Sequence, residues 1–66
     1  MTDRTREAVT IAAERMRIYR EHGGPLDTGP RCKPDWPIVE LRERGVIDAR
    51  TEATLTATAY RMSLEP

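Results

Sequence analysis

The sequence has no Phe and only one each of Trp, Cys, His, Lys and Ser among its 66 residues. Each scarcity removes a possibility. One Cys permits no internal disulfide. One Cys and one His fall short of the four ligands that zinc prefers. The lone Ser, at position 63, heads no nucleophile motif, and Gly23, Gly24 and Gly29 lack the following Lys-Ser/Thr of a phosphate-binding loop. No apolar run approaches the roughly 20 residues that span a bilayer. The first residues, Met1 to Glu7, carry charge without the apolar stretch of a signal peptide. There is no excess charge of either sign: 11 Lys and Arg face 11 Asp and Glu. A sequence-independent nucleic-acid binder needs a cationic excess to displace counterions from phosphates. These absences point to a chain that is not an enzyme, holds no cofactor or metal, takes no small-molecule substrate and does not enter a membrane. A lone thiol suits a reducing cytoplasm.

Short length adds a constraint. A domain of this size buries only about 60% of the surface its unfolded chain exposes. Small scaffolds usually compensate with disulfides, metals or association. With the first two excluded, self-association or docking on a larger protein gains weight.

The chain divides into three segments of one domain. From about residue 2 to 22 it contains neither Gly nor Pro and is rich in Ala, Arg, Glu and Met, all good helix formers. Thr2 or Asp3 can cap this first helix, and Gly23-Gly24-Pro25 ends it. Residues 23–35 hold three Gly and three Pro and read as a long loop, with Leu26 its only aliphatic anchor. Asp35 can cap a second helix over about 36–44, with Pro37 tolerated in its first turn and Gly45 as its stop. Val46 and Ile47 can fold back on that stop. Asp48 can cap a third helix over about 48–64. Its stretch Ala53 to Tyr60 alternates as a strand would, but no partner strand exists elsewhere and Ala favours helix. The expected fold is all-α: a small three-helix bundle with a long Gly/Pro-rich loop between the first two helices.

Spacing at 100° per residue sorts the helix faces. In the first helix Ala8, Val9, Ala12, Ala13, Met16 and Tyr19 share one face, opposite Thr10, Glu14, Arg17 and Glu21. Ile11 and Ile18 lie on a separate flank. The third helix has two apolar stripes. Ala49, Ala53, Ala57, Tyr60 and Leu64 form one; Leu55, Ala59 and Met62 form the other, bordered by Thr51 and Thr58. A one-sided surface helix has a single stripe, so one of the two is expected to face a partner. The candidate contacts are Leu55, Met62 and Thr58, with Ile11 and Ile18. Trp36 reads first as a core filler in a chain without Phe, and otherwise as an interface anchor.

Other features read as ordinary. Cys32 lies between Arg31 and Lys33, which would lower a thiol pKa, but the only His is ten residues away across the loop. Cys32 is more economically an incidental loop residue. Glu40 and Glu43 interleave with Arg42 and Arg44 as a solvated charged face. Asp27 and Asp35 have no signature spacing. The bias toward Arg over Lys suits bidentate contacts, and a GC-rich genome produces the same bias.

The function expected from these readings is a small non-catalytic protein–protein interaction module. It would be a homo-oligomer or an adaptor for a larger partner, in keeping with a bacterial or phage accessory protein. The alternative is a small helix-turn-helix DNA-binding regulator with residues 48–64 as recognition helix. There Arg50, Thr51 and Thr54 would touch DNA, and Arg4 and Arg6 would form a basic arm. Asp48 and Glu52 at the end that should approach the bases weigh against it.

Overall fold

A computed structural model of the chain describes residues 2–24 and 33–65. It is a bundle of three helices: α1 (Asp3–His22), α2 (Trp36–Glu43) and α3 (Ala49–Ser63). Among the described residues there is no strand. The Cα radius of gyration is 11.4 Å, close to the roughly 11 Å of a compact chain of this length. The expectations for Leu26 and Cys32 fall outside the described residues.

Local chemistry sets the helix ends. Thr2 is the N-cap of α1: its Oγ1 accepts from the Thr5 backbone N–H at 3.2 Å and shares a 2.8 Å hydrogen bond with the Thr5 hydroxyl. At the other end, Gly24 N–H donates to the Tyr19 carbonyl and Gly23 N–H to that of Arg20. This pair of bonds needs a left-handed residue, and Gly23 supplies it at φ 72°. The end of α2 repeats the device. Gly45 takes φ 76°, its N–H donates to the Arg42 carbonyl, and Val46 N–H donates to that of Leu41. Asp35 precedes α2, but its side chain makes no capping bond. Its backbone carbonyl instead accepts from Ile38 and Val39, and Pro37 stands in the first turn. Asp48 does cap α3, its Oδ1 accepting from Thr51 N–H at 2.7 Å.

Within the Thr-rich run of α3, the hydroxyls of Thr54 and Thr58 turn back on their own helix. Thr54 Oγ1 donates to the Arg50 carbonyl at 3.2 Å and Thr58 Oγ1 to that of Thr54 at 2.9 Å. Thr10 does the same to Arg6 in α1. Such bonds satisfy the hydroxyl without a strand partner.

The core is Ala8, Val9, Ala12 and Ala13 of α1, Ile38 and Leu41 of α2, and Leu55 and Ala59 of α3, with Met16 and Ile47 packed at its edge. Half of these are Ala, so the helices approach closely over little apolar area. The starting end of α2 is at the finishing ends of the other two helices, since Pro34 shares a hollow with Tyr19, Arg20 and Tyr60. At its far end Arg42 pairs with Glu52 in the first turn of α3. The helices therefore run up, down and up. Arginines of α1 tie down the end of α3. Arg20 donates to the Ser63 hydroxyl and carbonyl, and Arg17 to the Glu65 carbonyl. Cations at a helix C-terminus also complement its dipole.

Candidate functional site

The decisive question is which stripe of α3 faces outward. Leu55 is 4% exposed and Ala59 fully buried, both in the core against α1 and α2. Ala49, Ala53, Ala57, Tyr60 and Leu64 are the exposed stripe. Tyr60 and Leu64, 54% and 57% exposed, are the most exposed large apolar residues among those described. The assignment of Leu55 to a partner surface is thus corrected: it is a core residue, and the outward stripe is the other one.

The flanking charges explain the choice. At helix spacing Arg50 and Arg61 border the Ala/Tyr/Leu stripe, and burying them there would strand two charges. The Leu55 stripe is bordered by Thr51, Thr58 and Ser63, which can be buried once hydrogen-bonded. Glu52, half-buried on that side, is paired with Arg42. The two arginines are visible in the sequence, but Glu52 on the other side leaves the comparison undecided until its pairing with Arg42 is known.

The other candidates do not gather into one patch. Met62 is exposed beside Thr10, Ala13, Glu14 and Arg17 in a shallow hollow between α1 and α3. Thr58 is half-buried. Ile11, 38% exposed, and half-buried Ile18 lie on a different flank of α1 from Thr10 and Arg17. Trp36 is half-buried at the first position of α2, with the Arg15 guanidinium 5.8 Å above its ring centroid. It is neither a sealed core residue nor a bare anchor.

The DNA candidates are also placed. Arg50 and Thr54 are on the outward face of α3, while Thr51 is half-buried with its N–H committed to Asp48. Arg4 and Arg6 do not form an arm. The Thr2 cap starts α1 at Asp3, so both lie within its first turns, exposed.

Beside the outward stripe is an apolar hollow of about 250 Å³, lined by Met16, Tyr19, Arg20, Pro34 and Tyr60. Tyr60 belongs to both, which makes stripe and hollow one continuous surface. Among the described residues no group of three or more His, Cys, Asp or Glu side chains could hold a metal. The Asp48 carboxyl is held below the usual carboxylate value by the Thr51 backbone N–H and then by the Thr51 side chain. That is a cap, not a proton-transfer site. No described helix is long and apolar enough to cross a membrane.

No family model matches the chain, and no curated protein or solved structure does either.

Proposed function

We propose that the chain is a small, non-catalytic interaction module of the cytoplasm that docks another protein on the outer face of α3. One observation carries this reading. After the bundle has used Leu55 and Ala59 for its core, α3 still presents Ala49, Ala53, Ala57, Tyr60 and Leu64 to solvent. A helix that needed only to pack on α1 and α2 would carry polar residues there. An aromatic and an aliphatic residue projecting at one end of a trough of Ala suits a helix-docking surface.

A second reading, the helix-turn-helix regulator, has one feature in favour: Arg50, Thr54 and Arg61 share the outward side of α3, after α2 and a short turn. Against it, the Thr54 hydroxyl donates to its own helix, and Tyr60 and Leu64 offer little to a phosphate backbone.

Site-specific photo-crosslinking in the native host tests the docking surface. A photoreactive residue at position 60 should give a discrete protein adduct, and one at exposed Glu21 should not. Adducts of equal yield from both positions, or from neither, would remove the α3 face from consideration.

A further inference from the structure

The cations on the outer face of α3 say more about what covers it. The face comprises Ala49, Arg50, Ala53, Thr54, Ala57, Tyr60, Arg61 and Leu64, all exposed. It has two positive charges and no carboxylate. Among the described residues neither Arg50 nor Arg61 is held in an ion pair; the pairs there are Arg42–Glu52 and Arg44–Glu40. Both arginines flank the same edge of the apolar stripe, separated by about 16 Å at 1.5 Å per residue.

This arrangement is not complementary to itself. A two-fold dimer places the same patch on both sides. If two α3 helices packed parallel about a two-fold axis, the arginine edge of one would face the opposite edge of the other, where Thr56 stands and Glu52 is already paired with Arg42, so neither arginine would gain a free carboxylate. If they packed antiparallel about the Ala53–Ala57 trough, Arg50 would meet Arg61. The antiparallel pair therefore sets like charges together at both ends, which is costly at an interface, and the parallel pair leaves both arginines without an acidic partner. The Ala trough, in contrast, admits the close approach of an apolar helix face, and the hollow beside Tyr60 can receive one larger apolar side chain.

We infer that the occupant of this face is an amphipathic helix of a different protein, with acidic residues along one edge spaced to reach Arg50 and Arg61. The inference rests on the docking role of α3 and adds the charge and identity class of the partner. DNA also offers negative charge, but it does not match the apolar stripe or the hollow.

The test uses three helical peptides about as long as α3, with one shared Leu/Ala stripe and one flanking edge of Glu, Gln or Lys. Each is titrated into the isotope-labelled full chain, and backbone amide shifts are followed. The Glu peptide should shift Arg50, Ala53, Ala57, Tyr60 and Arg61, with an affinity about fivefold above that of the Gln peptide, as expected for exposed ion pairs. The Lys peptide should bind more weakly still. Arg50→Gln with Arg61→Gln should bring the Glu peptide down to the Gln level, and its own amide dispersion shows that it folds. Equal affinity for all three peptides overturns the acidic preference while leaving the docking face, which the crosslink at position 60 tests separately. No shift from any peptide overturns the inference. So does a stable dimer broken by Tyr60→Glu. A DNA duplex that shifts the same residues more tightly than the Glu peptide would transfer the face to nucleic acid.

Discussion

Arg20 holds Ser63 with both arms of its guanidinium: Nη1 donates to the side-chain Oγ at 3.2 Å and Nη2 to the backbone carbonyl at 2.7 Å. The Ser63 hydroxyl in turn donates a hydrogen bond to the Tyr60 carbonyl at 2.6 Å. One side chain of α1 therefore closes the last turn of α3, the turn that presents Tyr60. Ser63 is only 2% exposed, so this polar group is buried with its partners in place. Replacing Arg20 by Met keeps the alkyl stem and removes the donors. The variant should lose about 1.5–3 kcal/mol, the range for a hydrogen bond that involves a charged group. Urea titration followed by circular dichroism measures it. An unchanged midpoint would show that the clamp contributes nothing.

Ile38 is the one fully buried large side chain among the described residues. Truncation to Ala should cost about 2–5 kcal/mol through lost burial and the cavity left behind. A core this thin has little more than that to lose, so Ile38→Ala should be largely unfolded. Ile38→Val should remain folded with its unfolding free energy lowered by about 1 kcal/mol. A native-like melt for Ile38→Ala would mean that the core is not where the structure has it.

The two stripes of α3 give opposite outcomes for one substitution. Leu55→Glu places a charge in the core and should abolish the cooperative thermal transition. Tyr60→Glu and Leu64→Glu alter only the outward face and should keep the helicity of the parent, with an unfolding free energy within about 0.5 kcal/mol of it. Equal damage from Leu55→Glu and Leu64→Glu would reverse the assignment of the faces.

Asp48 links the stability of α3 to pH. Its carboxyl titrates lower when folded than when unfolded, because the ionised form accepts from Thr51. The charged cap therefore stabilises the fold fully above the unfolded value, about 3.9. That contribution fades as pH falls through the lower folded value. Asp48→Asn keeps an acceptor without the charge. It should be less stable than the parent at neutral pH, and the gap should shrink below about pH 4. A gap independent of pH would assign the effect to something other than this carboxylate.

Gly45 stands at φ 76° with open space where a Cβ would be. Gly45→Ala therefore meets no clash, and its cost is backbone strain alone, about 1 kcal/mol. A D-alanine at the same position, introduced by chemical synthesis, should recover that loss. Equal melting of the L- and D-alanine forms would show that the left-handed turn between α2 and α3 is not maintained in solution.

The three helices and their ends were legible because their causes are local. Thr2 and Asp48 cap through their own side chains, and Gly23 and Gly45 take a backbone conformation that other residues resist. The sequence also showed, from spacing alone, that α3 carries two apolar stripes, and the charge balance weighed against general nucleic-acid binding. Local chemistry does not decide which stripe is inside. That depended on Arg20 reaching Ser63 from another helix and on Arg42 neutralising Glu52 across the turn. Likewise Asp35 looked like a cap but leaves that role to its carbonyl, and Trp36 settled at the edge of the core under Arg15. Arg20 with Ser63 and Arg15 with Trp36 are contacts between residues far apart in the chain. Periodicity says which residues lie on the same side of a helix; only the packing of α1 against α3 says which side faces water.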